Sequence, residues 1–404
     1  MLACFRFQMR RISAISAQAF RVKLALSTLC ENPRKRTGLS TLFPAFVAAA
    51  VRLFPDVSWL VFASHDEPWP DLGPRVNVVR RFAANDRRAM RLWSDHLRVG
   101  SEAELRGADA LLTVGFVPLR CRLPVIMQVC ALPSSCAAGP ANWLRTAYRV
   151  WALRAGLRRA ALVITNSAWA AGRLGALDRG RRCRLVVSPE GVDHAQFSPE
   201  PGKSERDRLT RELGIPPRYL LWLSNFYEYK RAELALAAFA ALPAKLRTEY
   251  PFVLAGGDWQ GGVARARRAA ARCGVDRDVR FLGRVNEAWL PALYRNARAQ
   301  VMATSEETFG RNLLEAMACG CPTVANDLPV LREVAGGGAE FTDFARTPEA
   351  GEALRRICKD DVLAGRVRDR GIARAAEFSF ERLARERVNA VIALLEPEKA
   401  LVAS

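Results

Sequence analysis

Two carboxylates, Glu307 and Glu315, frame the stretch of this 404-residue chain best equipped for chemistry, SEETFGRNLLEAMACGCPTVAND at residues 305–327. A carboxylate accepts two hydrogen bonds in one plane, so each suits a vicinal diol of a sugar or a ribose. Between them Phe309 and Gly310 form a bend, and the N–H groups of Arg311 and Asn312 at a helix start suit an anion. Sugar, phosphate and ribose in a row describe a nucleotide sugar. A solvated loop acid followed by an acid early in a helix would also arise from hydration and the helix dipole alone. The spacing therefore needs support from the rest of the chain.

The elements that must position these residues read from apolar periodicity. Residues 299–303 form a buried strand, the helix after Gly310 closes at Gly320, and a strand follows Pro322. In an open α/β sheet the loop at the carboxyl end of such a strand faces the ligand crevice. Upstream, strands at 219–226, 252–256, 279–283 and 300–303 alternate with helices at 232–242, 261–273 and 286–297, giving a Rossmann-like domain. The first half alternates in the same way. Its strands are 22–29, 58–63, 76–79, 109–114, 125–129, 162–165 and 185–187, and its helices are 39–54, 86–99, 141–159 and 168–177. A Pro-, Ser- and Gly-rich link near 198–203 separates the two. The expected division is 1–200, 201–380 and a last helix with its tail at 381–404, beginning near Phe380.

The motif with its AMACGCP tail, with LSNFYEYKR at 223–231, ALVITNSAW at 161–169 and SPEGVDHAQFSP at 188–199, resembles the retaining GT-B glycosyltransferases of family 4. That resemblance implies an α/β fold of two Rossmann-like domains facing across a cleft, with the C-terminal helix crossing back to the first. It implies that Glu307 holds the donor sugar and Glu315 the ribose. Backbone groups of Phe309, Gly310, Arg311, Asn312 and Leu313 would face sugar and phosphate. Lys230 would grip the diphosphate, while Asn225 stands where the family usually has Arg; Arg311 is the expected replacement for that charge. Gly38 corresponds to part of a glycine pair near the diphosphate. The implied reaction retains anomeric configuration through an oxocarbenium-like species, with Glu307 orienting the sugar and the departing phosphate taking the acceptor proton.

The expected function is transfer of a hexose from GDP-mannose or a UDP-sugar to a glycan or glycolipid acceptor in cell-surface polysaccharide synthesis. GDP-mannose is favoured by the loop with Asn in place of Arg. The chain departs from the family at Cys130 and Ala131, which occupy the place of a common His-Asp pair after the strand PVIMQV. With the lost Arg, this motivates an alternative: a catalytically reduced GT-B protein acting as a binding or assembly subunit. Three histidines remain, His65, His96 and His194, and His65 in SHDEPW is a candidate for touching acceptor.

Charge bears on partners. The net charge is +20, and residues 1–200 hold 29 Lys and Arg against 14 Asp and Glu, leaving 32 against 27 for the rest. A basic first half suits an anionic partner such as the inner face of a membrane; an Arg-rich composition throughout accounts for it equally. Residues 143–160, WLRTAYRVWALRAGLRRA, have the composition of a helix at an anionic lipid surface. At 100° per residue their five arginines spread over several faces, which favours an ordinary, partly exposed domain helix. A nucleic-acid partner is not expected, because no recognised module accompanies the charge. The ten cysteines lack metal spacing and read as buried thiols of a cytoplasmic protein. No metal is expected, and Asp276 with Asp278 reads as a turn. No apolar run reaches the ~20 residues of a membrane-spanning helix. The first 21 residues read as a basic extension and not as a secretion signal.

Overall fold

A computed structural model describes residues 22–30, 38–83, 87–132, 140–178 and 183–402. The expectation for the first 21 residues lies outside them. In the first half, seven parallel strands are β1 (Val22–Ser27), β2 (Val57–Ser64), β3 (Val76–Phe82), β4 (Ala110–Val114), β5 (Val125–Val129), β6 (Leu162–Thr165) and β7 (Leu185–Val187). They lie in the order β3-β2-β1-β4-β5-β6-β7. The second sheet has six: β8 (Leu220–Leu223), β9 (Phe252–Ala255), β10 (Val279–Gly283), β11 (Ala299–Met302), β12 (Thr323–Asn326) and β13 (Glu340–Thr342), ordered β10-β9-β8-β11-β12-β13. Each sheet reverses its winding once, between β1 and β4 and between β8 and β11. Such switch points open a crevice at the carboxyl ends of the strands.

Helices cover both faces, which is why central strands read as unbroken apolar runs. In the first half these are α1 (Gly38–Leu53), α2 (Arg88–Trp93), α3 (Val99–Leu105), α4 (Pro140–Arg159) and α5 (Ala168–Asp178). Around the second sheet lie α6 (Glu205–Leu213), α7 (Ala232–Ala240), α8 (Ala244–Glu249), α9 (Gly262–Arg272), α10 (Leu290–Asn296), α11 (Arg311–Ala318), α12 (Pro329–Ala335), α13 (Thr347–Lys359) and α14 (Asp361–Ala375). The last helix, α15 (Phe380–Val402), carries Phe380, Leu383, Ala384, Val388, Val391 and Leu395 at helical spacing. That stripe joins the core of the first sheet with Phe43, Phe46 and Val47 of α1, so the C-terminal helix does cross back as the resemblance implies.

Two elements differ from their sequence reading. The helix expected over 86–99 is interrupted: α2 passes into a π-helical turn, Ser94–Arg98, before α3. Within it Asp95 is 1% exposed, and Arg91 Nη1 donates to its Oδ2 at 2.8 Å. Burying an acid one turn from its arginine outweighs regular periodicity there. The strand expected over 219–226 stops at Leu223, because the chain turns at Ser224 into the loop that carries Lys230. Among the described cysteines only Cys319, Cys321 and Cys358 are buried; Cys273 is exposed and the others are intermediate. Among the described residues no helix is long and apolar enough to cross a membrane.

Candidate active site in the cleft between the sheets

The loops following β8 and β11 meet at the second switch point, and polar side chains staple them together. Ser305 N–H donates to the Tyr229 carbonyl at 2.8 Å, and the hydroxyls of Thr304 and Ser305 donate to the same oxygen at 3.2 Å. Asn326, at the end of β12, donates from Nδ2 to the Thr304 carbonyl at 2.9 Å. This staple sets Lys230 beside Glu307, and their Nζ and Oε1 form an ion pair with about an eighth of each side chain exposed (13% and 12%). Burial alone disfavours the ammonium, but the Glu307 carboxylate, Tyr229 and the direct hydrogen bond outweigh it and hold the Lys230 pKa above its ordinary value.

Gly310 precedes α11 with φ 96° and ψ 54°, a left-handed geometry that a side chain resists. A Cβ there would lie 2.7 Å from Leu331 Cδ2. The bend lets α11 start abruptly, so helix geometry leaves the N–H groups of Arg311 and Asn312 without intrahelical partners. Leu313 is different. Its N–H donates to the Gly310 carbonyl at 2.9 Å and its side chain is fully buried. Its expected place facing the donor is therefore corrected: Leu313 anchors the helix from behind. Phe309 is 2% exposed and packs edge-on against Phe378. Asn312 Nδ2 donates to the Leu223 carbonyl, tying α11 to the end of β8.

One turn along α11, Glu315 accepts from the Tyr294 hydroxyl at 3.3 Å. Burial pushes its carboxyl up to about 7, with Glu190 and Glu287 adding to the rise and Arg311 and Tyr294 opposing it. Burial likewise holds the Tyr294 phenol well above its usual range, with Glu315 contributing. Asn225 accepts the Gly257 N–H at 3.0 Å. It lies beside Gly256, where a Cβ would fall 1.7 Å from the Ser224 carbonyl oxygen. Glycine is required there for the backbones after β8 and β9 to close the wall.

These groups surround one cavity of about 950 Å³ whose lining includes Asn225, Lys230, Glu307, Phe309, Gly310, Arg311, Asn312 and Glu315. The first sheet contributes Ser40 and Thr41 of α1, Cys130, Ala131 and Glu190. Gly38 is the first residue of α1, two positions before Ser40. Arg311 is not left as a free phosphate charge: its Nε donates to Glu190 Oε2 at 3.1 Å and its Nη1 to Thr41 Oγ1 at 3.0 Å. Asn166 Nδ2 donates to the other Glu190 oxygen at 3.0 Å. Sequence reasoning missed Glu190, although a glutamate beside Gly191 in the interdomain segment is the kind of polar residue that marks a crossing. Thr308 bridges the halves as well, with Oγ1 donating to the Cys130 carbonyl and its own carbonyl accepting from Ser167 Oγ, each at 2.7 Å.

The remaining candidates fall elsewhere. His65 is exposed and its backbone N–H bonds the Phe82 carbonyl, while Pro68, Trp69 and Pro70 line the cavity. His96 contacts the Tyr148 hydroxyl at 2.7 Å, and His194 contacts the Phe378 carbonyl at 3.0 Å. Asp276 and Asp278 form a 3₁₀ turn in which Asp278 accepts from Arg247 at 3.0 Å. Among the described residues no three His, Cys, Asp or Glu side chains gather to hold a metal ion.

Residues 205–374 match the family model described as glycosyl transferases group 1. The O-antigen chain mannosyltransferase B of Escherichia coli is 31% identical over 173 residues, covering 43% of this chain and 45% of that protein. The chain spans about a quarter to a half of the length of the curated relatives it matches. Among solved structures, sucrose-phosphate synthase from Thermosynechococcus elongatus superposes with a TM-score of 0.76 at 18% identity, covering 95% of this chain and 100% of the other. HepE from Anabaena in complex with UDP-glucose gives 0.69 at 18% identity, covering 92% and 99%. These two likenesses establish the fold, GT-B. The segment that carries Lys230, Glu307 and Glu315 belongs to the glycosyl transferases group 1 family.

Proposed function

We propose that the protein is a retaining hexosyltransferase that moves a sugar from a nucleotide donor to a glycan or glycolipid acceptor in cell-surface polysaccharide synthesis. The observation that carries this reading is the convergence of Lys230, Glu307, the Gly310 bend and Glu315 on one cavity. Breaking a sugar-diphosphate bond places charge on the departing phosphate, which fixed dipoles and cations must stabilise. Lys230 is charged and already ordered by Glu307, so the incoming diphosphate needs only to share or exchange that partner. The N–H groups of Arg311 and Asn312 supply the dipoles. Glu307 orients the sugar hydroxyls, and Glu315 takes the ribose diol. The departing phosphate accepts the proton of the attacking acceptor hydroxyl, which is why no general base is assigned.

GDP-mannose is the favoured donor, supported by Asn225 in the place of Arg and by the mannosyltransferase among the relatives; a UDP-sugar is the competing one, since HepE was solved with UDP-glucose. Purified protein is offered each donor with released nucleoside diphosphate as the readout, with and without a chelator. Release with one donor that survives chelation and disappears in Glu307→Ala supports the reading. Loss on chelation overturns the metal-independent assignment. The binding-subunit reading is favoured by Cys130 and Ala131, which bring no imidazole to the cavity wall; it predicts nucleotide binding with no release from any donor. Arg311→Ala separates two roles, because an Arg311 committed to Glu190 leaves turnover far less affected than Lys230→Ala does.

A further inference from the structure

Lys230 has a second partner besides Glu307. Its Nζ lies over the ring of Tyr229, 5.3 Å from the centroid. That ring stacks on Tyr227 at 5.4 Å between centroids and 15° between planes, and Tyr227 in turn meets Trp259 at 4.7 Å and 49°. Three rings and an ammonium therefore form one column. Tyr227 and Tyr229 line the cavity, and Trp259 lies outside its lining.

Two loops are zipped together to build it. Phe226 N–H donates to the Gly257 carbonyl at 3.0 Å, and Gly257 N–H donates back to Asn225 Oδ1 at 3.0 Å. This joins the loop after β8 to the loop after β9 and brings Tyr227 beside Trp259. Lys230 N–H donates to the Tyr227 carbonyl at 3.1 Å through the 3₁₀ turn Glu228–Lys230. The Tyr229 carbonyl accepts from Thr304 and Ser305, so its ring is aimed by a fixed backbone. Left-handed backbone marks both ends. Among the described residues three non-glycine positions have positive φ, and two adjoin the column: Arg231 at 49°, directly after Lys230, and Gln260 at 53°, directly after Trp259. Such geometry is unfavourable for a residue with a side chain and persists where surrounding contacts over-determine it.

A ring face can do what a carboxylate cannot. Glu307 engages the N–H donors of the ammonium and must also serve the sugar hydroxyls. The π face attracts the same charge through its quadrupole while leaving the three N–H groups for phosphate oxygens. A lysine on a flexible four-carbon stem needs such a guide. Burial pushes the Tyr229 phenol up, so the ring stays neutral beside the cation. We propose that Tyr229, steadied by Tyr227 and Trp259, is the positioning residue that holds the Lys230 ammonium in place for the donor diphosphate. The inference rests on the reading of Lys230 as the diphosphate cation.

Binding of GDP and of UDP to the full chain is measured by calorimetry. Tyr229→Leu, which keeps apolar bulk and removes the face, is expected to weaken binding about tenfold, and Tyr229→Phe to recover most of that loss. Trp259→Leu, outside the cavity lining, weakens it about threefold. In a Lys230→Met background both leucine substitutions cost nothing further, because the rings act through the ammonium. A merely structural column costs the same with or without Lys230. That additive result overturns the proposal, as does a Tyr229→Leu variant that binds like the parent or a Tyr229→Phe variant that loses as much. Trp259→Leu carries the same comparison if Tyr229→Leu does not fold. A parent that binds neither nucleotide fails the reading of Lys230 itself, and the column falls with it; parent binding with additive losses fails the column alone.

Discussion

Glu315 shows how a partly buried acid in the cavity wall couples protonation to stability. Its carboxyl is raised from 4.5 to about 7 in the folded protein, with burial as the first cause. The folded state therefore holds a proton that the unfolded chain releases between these values. The benefit is fully present below about pH 4.5 and is lost as pH rises through about 7, so this group makes stability fall with pH. The full window corresponds to at most about 3 kcal/mol, less in proportion to the water that reaches it from the cavity. Glu315→Gln removes the ionisation. In urea titrations it is expected to be more stable than the parent at pH 8, with the difference closing towards pH 4.5, while nucleoside diphosphate binding weakens. Asp95, raised to about 7 by burial, titrates in the same window, so the parent-minus-variant difference is the quantity to read. A variant less stable than the parent at pH 8 would show that the Tyr294 hydrogen bond outweighs burial.

Loops between strand and helix carry the site, and their tolerance differs. At Gly310 an added Cβ meets the end of Leu331, which can rotate; at Gly256 it meets the Ser224 carbonyl, which cannot move without displacing β8. Gly310→Ala is expected to cost about 1–2 kcal/mol, mostly for its positive φ. Gly256→Ala costs more, and denaturant midpoints of the two variants give the order. Its damage also reaches Asn225, whose side chain accepts from Gly257. A variant pair in the reverse order would mean that the bend before α11, and not the wall at β9, is the rigid element.

The molecule's two halves are crossed twice by the chain, and the crossings run side by side. Val192 N–H donates to the Phe378 carbonyl at 3.3 Å, and Val192 bridges Ser379. Arg387 of α15, 1% exposed, donates through Nη1 to Gln128 Oε1 and locks the last helix to β5. Glu333 of α12 caps the start of α5 across the cleft, accepting from Ala168 N–H at 2.6 Å and Trp169 N–H at 2.9 Å. A ligand in the cavity touches both halves and binds only the folded molecule. Nucleoside diphosphate at about a hundred times its Kd should therefore raise the unfolding free energy by about 2.7 kcal/mol. Thermal scans test this, and Lys230→Met should remove most of the shift. An unchanged midpoint in the parent at saturating GDP and UDP would place nucleotide recognition elsewhere.

The sequence by itself determined the order and type of most elements, while α6, α8, α12 and β13 went unread. Periodicities of two and 3.6 are local, and β5, β6, β7 and β10 fall on the residues read from apolar runs. It also marked Glu307, Gly310 and Glu315, because bend, helix start and acids sit within a few residues of one another. What it could not contain was who partners whom across the fold. Lys230 meets Glu307 over 77 residues, Arg311 meets Glu190 over 121, and Thr308 meets Cys130 over 178. The same packing turned Leu313 inward and gave Arg149 and Arg159 of α4 the carbonyls of Leu132 and Leu119. Such choices follow from how two sheets and their crossing helix are set against each other, and that orientation is a sum over distant contacts which no local pattern encodes.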